Sequence, residues 1–489
     1  MSEQRNEIAV VPQTEGRGGW GMSTSAVGNI VYPRSAQDVV DAFRYAADHG
    51  LTVGFWGNGR SYGDAALNEG QLTLDFSRMN QVISWDPKTG IAVCEPGVRL
   101  ADLWQHCLSD GYWPPVVSGT MFTTLGGCAA ANVHGKNNWK HGPIGDHIRS
   151  VELVTPDGEI RTLDRENDPE LFHAAIGGFG WLGAFTRITV AMKKVYSGRL
   201  EVRPFVCPDL ESMFRGFEEC NEQEYDYVVG WLDAFARGAR LGRGQIHAAR
   251  YFADGGDPAG AQMLSLDHQH LPSTFFGLIP KAWLWRFMKP FSHRPGVRAI
   301  NAARYFWMSR DFNQHVERQA HAQFNFLLDY VPDWKFIYKP GGLIQYQLFV
   351  PKDHARDVFR RALELQQTLK LESWLLVMKR HRADPFLMSH AVDGYSLAQD
   401  FPVTDTNRQR LFDMCEQFSE MVVGAGGRFY FAKDSVVSPQ AVRRAFGNER
   451  LQQFFAIKDR VDPDGLLQGN LHRRVLAPLR QRRGDGEAA

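Results

Sequence analysis

The sequence predicts an α+β protein with more than one domain, and three observations lead to that fold class. The chain has 489 residues, which exceeds the length of one ordinary domain. Hydrophobic residues make up 44% of the chain and charged residues 22%, a composition typical of folded globular proteins. Near residue 195 a glycine-rich sequence of short alternating segments changes to longer strands and helices. We therefore expect domains of different architecture on the two sides of this point.

The chain divides into three regions. Residues 1–195 are expected to form a first domain, and residues 196–425 a second, substrate-type domain of α+β character. Residues 426–489 resume the short motifs of the first region. We therefore expect this last region to return to the first domain and pack on it.

Charge and cysteine content exclude several classes of protein. Lys plus Arg and Asp plus Glu both number 55, so no net field favours nucleic acid, and we expect no nucleic-acid partner. The six cysteines form no C-x-x-C pair, which argues against a zinc site or a disulfide framework and favours a reducing compartment. No export signal is readable at the N-terminus, and no window resembles a membrane span. We expect a cytoplasmic protein.

The first region is predicted to begin as strand, helix and strand, at NIVYP, SAQDVVDAFRYAADHG and LTVGFW. Ser35 is the expected N-cap of this helix, and Gly50 closes it. Short strands follow at QLTLDFS, QVISWDP and GIAVCEPG, and a helix at RLADLWQHCLSDG. The segment SVELVTPDGEIRTL predicts a hairpin whose turn is Pro156, Asp157 and Gly158.

The second region is predicted to contain long strands, such as LIQYQLFV, and helices, such as DHARDVFRRALELQQTL. In a strand, Gln345 and Gln347 point to the same face because the side-chain period is two. A pair of amides on one face suits the recognition of hydroxyl groups. The alternative is that these residues only alternate on a solvated face of a sheet.

Two glycine-rich stretches occur in different contexts. Gly178, Gly180 and Gly183 form G-x-G-x-x-G, but a helix-like segment precedes them and a strand-like segment follows, the reverse of the dinucleotide-binding motif. We interpret this stretch as a tight turn. Residues 57–64 instead follow a predicted strand directly, and their backbone amides can form a nest for phosphate oxygens. The sequence predicts a pyrophosphate site there, although such a loop can also be only a turn.

A third stretch, residues 118–137, adds small residues and amide donors suited to a large planar ligand. With its motifs the chain resembles the flavoproteins of the vanillyl-alcohol-oxidase type, which have a PCMH-type FAD-binding domain. The shared motifs are G-x-G-R-S-Y-G-D, S-G-T, L-G-G, H-G-K-N, V-T-P-D-G and V-D-P-x-G. The resemblance spans about residues 29–475, and the joint occurrence of the motifs is more specific than any one of them.

The resemblance implies an enzyme that uses FAD. It implies the branch of the family that oxidises a secondary hydroxyl of a polyprenyl-phosphate-linked pentose to a keto-sugar by hydride transfer to flavin. A short-chain reductase partner would complete an epimerisation in cell-envelope glycan biosynthesis. The alternatives are an FAD-dependent oxidase or dehydrogenase of a soluble sugar, aldonolactone or other alcohol, and a non-catalytic flavin-binding or membrane-docking protein.

The resemblance also implies two sets of site residues. The residues expected at FAD are Gly57, Asn58, Gly59, Arg60, Ser61 and Tyr62 at the pyrophosphate, Gly119, Thr124, Leu125, Gly126, Gly127, Asn132 and His134 along the flavin, Phe185 at the adenine and Tyr430 at the isoalloxazine. The residues expected at the substrate are Tyr62, His134, Trp231, Gln345, Gln347, Lys379 and Lys433.

Lys433 is the main catalytic candidate, with Tyr62 and His134 beside it. A desolvated lysine next to an oxidised flavin can accept a hydroxyl proton as hydride leaves carbon. The alternatives are an ion pair between Lys433 and Asp434 or another neighbour, and a structural role for His134. One departure from the family concerns the motif G-x-x-x-C-x-D-F-P, in which Ala398 replaces the cysteine. The hydride chemistry needs no thiol there.

Residues 273–310, here called the aromatic segment, combine many aromatic side chains with basic ones and contain no acidic residue. Its seven cations are Lys281, Arg286, Lys289, Arg294, Arg298, Arg304 and Arg310. Aromatic rings favour the membrane interface and cations favour anionic head groups, so the segment is predicted to dock on the inner face of a bilayer and admit a lipid-linked substrate. The alternative is a pair of core helices with solvated arginines.

The predicted FAD should be bound without a covalent bond, because Arg60 stands where many members of this family carry the histidine that tethers the flavin. Acid precipitation is expected to release all of the yellow colour into the supernatant, measured as flavin absorbance. Flavin that stays with the pellet would show a covalent attachment and contradict this prediction.

Overall fold

The computed structural model of the chain describes residues 12–275, 279–310 and 315–480. This part of the chain contains both helices and strands throughout, which confirms the α+β class. The outer ends of the first and third predicted regions, and residues 276–278 of the aromatic segment, lie outside the described residues.

The strands are β1 (Gln13–Gly18), β2 (Ser25–Val31), β3 (Val53–Trp56), β4 (Leu72–Asp75), β5 (Val82–Asp86), β6 (Ile91–Cys94), β7 (Tyr112–Trp113), β8 (Ile148–Val154), β9 (Ile160–Asp164), β10 (Ala184–Ala191), β11 (Lys193–Lys194), β12 (Arg199–Cys207), β13 (Tyr227–Leu232), β14 (Gly244–Tyr251), β15 (Thr274–Phe275), β16 (Ile279–Pro280), β17 (Glu317–Ala320), β18 (Leu343–Pro351), β19 (Leu375–His381), β20 (Gly394–Pro402) and β21 (Arg428–Phe429).

The α-helices are α1 (Ala36–Asp48), α2 (Leu100–Cys107), α3 (Leu125–Ala130), α4 (Asn138–His141), α5 (Pro169–Ala175), α6 (Leu210–Glu222), α7 (Gly260–Met263), α8 (Leu284–Met288), α9 (Arg294–Met308), α10 (His321–Asn325), α11 (Lys352–Leu369), α12 (Arg408–Gly424), α13 (Pro439–Phe446), α14 (Asn448–Val461) and α15 (Asn470–Val475). Short 3-10 turns connect several of them.

The first sheet has the strand order β1-β2-β4-β3, in which β4 runs parallel to β2 and to β3. Helix α1 forms the crossover between β2 and β3 and buries Val39, Phe43 and Ala46 along one side. Ser35 caps this helix as predicted, since its side chain accepts a hydrogen bond from the backbone N–H of Asp38. Strand β3 ends at Trp56, immediately before residues 57–62. This loop therefore projects from the end of a buried strand.

The second sheet is antiparallel, with the order β5-β6-β10-β8-β9. Strands β8 and β9 form the predicted hairpin, whose turn places Gly158 at a φ of 85°. The G-x-G-x-x-G stretch lies between α5 and β10, so a helix precedes it and a strand follows it, as expected. Gly180 adopts a φ of 76°, which is consistent with a tight turn.

The third sheet has eight strands in the order β17-β12-β14-β13-β19-β20-β18-β21, and its neighbouring strands are antiparallel. Helices α6, α11 and α12 pack on it and bury apolar side chains against it. LIQYQLFV is the strand β18, as predicted. The face of β18 that carries Gln345 and Gln347 forms part of the candidate site described below.

The last region contacts the first sheet. The backbone N–H of Val53 donates to Leu466 O at 2.8 Å, and the N–H of Gln468 donates to Val53 O at 3.0 Å. Helix α15 carries Arg474, whose guanidinium binds Asp64 at 2.8 Å and Asp434 at 2.8 Å. These contacts join the loop after β3 to the segment that follows β21.

The aromatic segment forms β15, β16, α8 and α9. Several of its rings are more than half exposed, namely Trp283, Phe287, Phe291, Phe306 and Trp307. Its cations do not all face outward. Lys281 is only 1% exposed, Lys289 donates to the carbonyl oxygens of Ile337 and Lys339, and Arg294 forms an ion pair with Glu372. Within the described ranges, no helix has the length and apolar character needed to cross a bilayer.

Candidate functional site

A large cavity of about 540 Å³ is the candidate functional site. Its volume lies within the range of about 300–1,000 Å³ typical of small-molecule and cofactor sites. Its walls are the loop after β3, the residues around α3, the turn before β10, one face of the eight-stranded sheet and the segment after β21. The predicted site residues that line it are Gly57, Asn58, Gly59, Arg60, Ser61, Tyr62, Gly119, Thr124, Gly126, Gly127, His134, Phe185, Trp231, Gln345, Gln347, Lys379, Tyr430 and Lys433.

Two predicted residues, Leu125 and Asn132, do not line the cavity. Leu125 is the first residue of α3, and its side chain is fully buried in the hydrophobic core. The side-chain oxygen of Asn132 accepts a hydrogen bond from Gly145 N at 3.1 Å, and its amide nitrogen donates to Asp384 at 3.2 Å. Both side chains therefore hold neighbouring parts of the wall together.

Residues 57–62, here called the phosphate loop, are fixed by contacts with Phe122 and Trp20. The side chain of Asn58 donates to Phe122 O at 2.7 Å. The Arg60 guanidinium lies 4.6 Å from the ring centroid of Trp20 and donates to Asn58 O at 3.1 Å. Burial lowers the pKa of Arg60, with Asp329 opposing this effect. A cation is thus held beside a glycine-rich loop, as a pyrophosphate site requires.

The glycines of this wall allow close packing of the loops around the predicted FAD site, because a Cβ at each would clash with a neighbouring side chain. A Cβ at Gly57 would lie 2.3 Å from Oγ1 of Thr124, and a Cβ at Gly59 would lie 2.5 Å from the ring of Trp56. A Cβ at Gly180 would lie 2.3 Å from the ring of Phe55. Gly180 and Gly183 both line the cavity, so the G-x-G-x-x-G stretch is a turn that also forms part of the site wall.

The register of the eight-stranded sheet assembles the opposite wall. Gln347 of β18 pairs with Ala398 of β20, and Ala398 pairs with Val377 of β19. Val377 in turn pairs with Trp231 of β13, and Trp231 pairs with Gln245 of β14. All five residues line the cavity. Because side chains alternate along a strand, the residues two positions away on each strand share this face.

Lys433 lies at the β18 end of this wall. Its ammonium nitrogen is 3.9 Å from the ring centroid of Tyr62. Burial lowers the pKa of Lys433, Asp400 opposes this effect and Lys379 adds to it. The carboxylate of Asp434 is bound by Arg474 and not by Lys433. The other alternative, a pair with a different neighbour, stays open, because Asp400 interacts electrostatically with Lys433.

Tyr62 and Gln345 complete this end of the cavity. Tyr62 is buried, and its hydroxyl lies close to the side chains of Gln345 and Trp20. Burial, and secondarily Asp400, raise the pKa of Tyr62 well above its usual range. The side-chain nitrogen of Gln345 donates to Asp400, which leaves the amide oxygen of Gln345 to accept from a ligand.

His134 is a buried neutral imidazole. Burial, followed by the charge of Lys379, lowers its pKa well below the usual range. The side-chain nitrogen of Gln347 lies 3.2 Å from His134 Nε2 and 3.1 Å from Ser396 Oγ, and Ser396 Oγ lies 2.7 Å from His381 Nε2. With Nε2 accepting from Gln347, the proton of His134 is on Nδ1, which makes no hydrogen bond within the described chain.

Several cavity residues were not predicted from the sequence, including Lys136, Gln245, His247 and Arg304. Lys136 is the third residue of the H-G-K-N motif, two positions after His134. The motif could therefore have indicated that Lys136 belongs to the site. Gln245 and His247 alternate on β14 as the two glutamines do on β18, a pattern that was readable in QIHAARY. Arg304 belongs to α9, and no local pattern indicates that it reaches this cavity.

Comparison with known proteins concerns the wall of the cavity that contains the phosphate loop. Residues 28–164 match the model of an FAD binding domain. This range contains the phosphate loop and the residues from Gly119 to His134. The predicted flavin site therefore lies largely in the part of the chain that matches the FAD binding domain.

Three relatives illustrate the range of similar proteins. Decaprenylphosphoryl-beta-D-ribose oxidase from Mycolicibacterium smegmatis is 28% identical, over 94% of this chain and 96% of its own. A putative D-arabinono-1,4-lactone oxidase from Neurospora crassa is 22% identical, over 95% of this chain and 86% of its own. Cytokinin dehydrogenase 9 from Oryza sativa subsp. japonica is 27% identical, over 42% of this chain and 40% of its own.

The substitution Gly57→Ala is expected to weaken cofactor binding because the added Cβ would lie 2.3 Å from Thr124 Oγ1. Thr124 would have to move, and its hydroxyl accepts the N–H of Gly127 at the start of α3. The ratio of flavin to protein absorbance after purification should fall. Gly16→Ala is the matched control, since a Cβ there has no neighbour within 4 Å. Equal flavin content in both variants would contradict the prediction.

Proposed function

Since the chain is an FAD-dependent oxidoreductase, we propose that it oxidises a secondary hydroxyl of a polyprenyl-phosphate-linked pentose to a keto-sugar. The observation that carries this proposal is the convergence of a buried lysine and two glutamine side chains on one end of the cavity. Lys433, Gln345 and Gln347 line the same cavity as the phosphate loop. The oxidase of Mycolicibacterium smegmatis, whose name gives such a substrate, matches this chain over nearly the whole length of both.

The cofactor would be held between the two walls of the cavity. The phosphate loop and Arg60 would bind the pyrophosphate, the glycines of α3 would lie along the flavin, and Tyr430 would contact it from the other side. Bound flavin supplies an acceptor for the hydride that leaves the substrate carbon. We propose a non-covalent cofactor, because the tethering position of the family is occupied by Arg60.

Lys433 would accept the proton of the substrate hydroxyl. An amine can act as a base only when it is neutral, and burial lowers the pKa of Lys433 from that of an ordinary lysine. The ring of Tyr62, at 3.9 Å, fixes the position of the amine. The proton then resides on Lys433 Nζ until solvent removes it.

Gln345, Gln347 and His134 would orient the sugar. The oxygen of Gln345 can accept a hydroxyl proton because its nitrogen is already bound to Asp400. His134 carries its proton on Nδ1 and stays neutral, so it can donate a hydrogen bond without adding charge. These groups discriminate by hydrogen bonding, which rejects substrates that lack the matching hydroxyl.

The lipid tail of the substrate would reach the cavity from a membrane surface. The aromatic segment carries several exposed rings together with the exposed Arg286, Arg298 and Arg310, a combination that suits an anionic bilayer. Arg304 of α9 lines the cavity itself, so the aromatic segment adjoins the site. We propose peripheral association with the inner face of the membrane.

The product would be a keto-sugar, and its chemistry defines the next step. Reduction of the ketone from the opposite face would invert one stereocentre, which requires a hydride donor other than this flavin. We propose a short-chain reductase as the partner that completes the epimerisation.

A second candidate function is the oxidation of a soluble sugar or aldonolactone. The putative D-arabinono-1,4-lactone oxidase of Neurospora crassa, which matches 95% of this chain, favours it. Anaerobic reduction of the flavin by a panel of polyprenyl-phospho-pentoses, free sugars and aldonolactones separates the two. Reduction only by the phospho-lipid sugars supports the proposed function, and reduction only by the soluble substrates contradicts it.

Lys433→Met is expected to slow substrate-driven flavin reduction by about 10²–10⁴-fold, the usual contribution of a positioned general base. FAD content should stay near that of the unaltered protein, because methionine preserves the apolar stem beside Tyr62. Stopped-flow measurement of flavin absorbance gives the rate. Lys88→Met, at an exposed turn far from the cavity, is the matched control.

The pH dependence provides an independent readout of the same residue. The reduction rate should rise with pH as Lys433 loses its proton and should level off well below about 10.4, the value of an ordinary lysine. This limb should be absent in Lys433→Met. An unchanged rate or an unchanged pH profile in the variant would exclude Lys433 as the base.

Replacing the exposed part of α8 should weaken membrane association. The triple variant Trp283→Ser, Arg286→Gln and Phe287→Ser removes two rings that are more than half exposed and one exposed cation. One cation at an anionic surface contributes about 1 kcal/mol, so co-sedimentation with phosphatidylglycerol vesicles should fall at least about fivefold.

The control for this variant removes exposed apolar side chains elsewhere, at Ile83 and Ile160, which are 46% and 49% exposed. Turnover of a long-tailed substrate should fall in the α8 variant, whereas turnover of a short-tailed analogue should be retained. Equal loss of both activities, or normal co-sedimentation, would contradict a membrane-docking role.

A further inference from the structure

We propose that Lys136 and Arg304, together with Lys379, form an anion-binding subsite that receives the phosphate of the substrate. The proposal rests on the proposed function, since it assigns one part of that substrate to one part of the cavity. It also makes a claim about binding that holds whether or not the sugar is oxidised.

The subsite lies on the sheet wall between β19 and β14. Lys379 is on β19, two residues after Val377, and Val377 pairs with Trp231 of β13. The Arg304 guanidinium lies 4.2 Å from the ring centroid of Trp231. The carbonyl oxygen of Lys136 accepts from Val228 N at 2.9 Å, which fixes Lys136 beside the same strand. Three cations from three separate segments therefore line the cavity along β13 and β19.

No acidic residue that lines the cavity balances the charge of the subsite. The described residues that line the cavity include no Asp or Glu. Lys136 is 8% exposed, and its ammonium group donates to Phe324 O and lies 4.4 Å from the ring centroid of Phe324. One backbone carbonyl leaves two of its three N–H groups for a ligand. A buried ammonium group is stabilised by an anion, and a phosphate would supply one.

The neighbouring titratable groups are affected in the same direction. Burial, and then Lys379, lower the pKa of Lys136. Burial, Lys136 and Arg304 lower the pKa of His247 to about 4. Burial lowers the pKa of Lys379 to about 8. Each of these groups is therefore in a position where a bound anion would stabilise its charged form.

The spacing of the strands fits a phosphate next to the sugar. Strand β19 is two steps from β18, which carries the glutamine pair, and each step is about 4.8 Å. About 10 Å thus separates β18, which carries the glutamines, from β19, which carries Lys379. One sugar ring could lie over β20, the strand between them. Beyond the phosphate, Arg304 leads to α9 and the exposed rings of the aromatic segment. The substrate carries hydroxyl groups, then a phosphate, then an apolar tail. Along the wall the glutamines, the cations and the exposed rings follow in the same order.

The pyrophosphate of the cofactor does not account for these cations. Its predicted place is the phosphate loop with Arg60, on the wall formed by the FAD binding domain. Lys136 falls within residues 28–164, but its ammonium group contacts Phe324 of α10. Lys379 and Arg304 belong to the eight-stranded sheet and to α9, outside that range. The phosphate of the substrate would give this second cationic group a partner.

The experiment measures binding of farnesyl phosphate, which lacks a sugar, to the FAD-loaded protein through changes in the flavin spectrum. Arg304→Met should raise its Kd by about tenfold or more, the usual effect of losing a charge-assisted hydrogen bond. The Kd of farnesol should not change, and Arg304→Lys should restore most of the affinity. Arg298→Met is the matched control, because Arg298 is an exposed arginine of the same helix that does not line the cavity.

The outcomes separate this proposal from the proposed function. Unchanged binding of farnesyl phosphate in Arg304→Met and Lys136→Met, or equal loss of farnesyl phosphate and farnesol, would overturn the subsite. Inorganic phosphate should compete only weakly, and competition as strong as that of farnesyl phosphate would assign the site to a soluble phosphate instead. If no phospho-sugar reduces the flavin but these binding results hold, the proposed function fails and the subsite remains.

With an active substrate, the kinetic effect should also be selective. Arg304→Met should raise KM for a farnesyl-phosphoryl pentose and leave kcat nearly unchanged. Flavin reduction by a methyl pentoside, which has no phosphate, should be equal in the variant and the unaltered protein. Loss of both activities together would indicate a general structural defect and would contradict the assignment.

Discussion

The register of the eight-stranded sheet is the constraint on which the site depends. One face of β18, β20, β19, β13 and β14 presents glutamines, an alanine, a lysine, a tryptophan and a histidine in a continuous wall. A slip of one residue at any pair would turn the following side chains to the opposite face. The helices α6, α11 and α12 bury apolar side chains against the sheet and so hold this register. The packing of these helices therefore determines which side chains of the sheet line the site.

The second constraint is electrostatic. Removing water from a cavity that contains lysines and no lining carboxylate makes their charged forms less stable. At Lys433 burial lowers the pKa, and Asp400 opposes this shift. Burial also lowers the pKa of Lys136 and of Lys379. One physical cause thus acts on lysines along the whole wall.

The local elements and much of the site were predictable from the sequence because their determinants are close together in the chain. Ser35 caps α1, Gly158 turns the hairpin, and the glutamine pair of β18 lies on one face, as each local pattern indicates. The family resemblance added residues that local patterns could not connect. It also included Leu125 and Asn132, whose side chains join parts of the wall rather than facing the cavity.

The site residues that were not predicted depend on contacts between segments that are distant in the sequence. Arg304 reaches Trp231 across more than 70 positions of sequence, and Lys136 meets the same strand through a backbone hydrogen bond. A single sequence contains no periodicity that reports such contacts. The aromatic segment shows the same limit, since composition alone did not distinguish the buried Lys281 from the exposed rings around it.

The ion pairs of Arg474 have a consequence for the order in which the protein matures. Asp64, just beyond the phosphate loop, is 410 positions away from Arg474, and the same guanidinium binds Asp434, next to Lys433. A chain leaves the ribosome N-terminus first, so Asp64 is synthesised long before its partner Arg474. A nascent chain that has folded only its first two sheets lacks this clamp. The segment of Asp64 can therefore reach its final contact with α15 only after residue 474 has been synthesised.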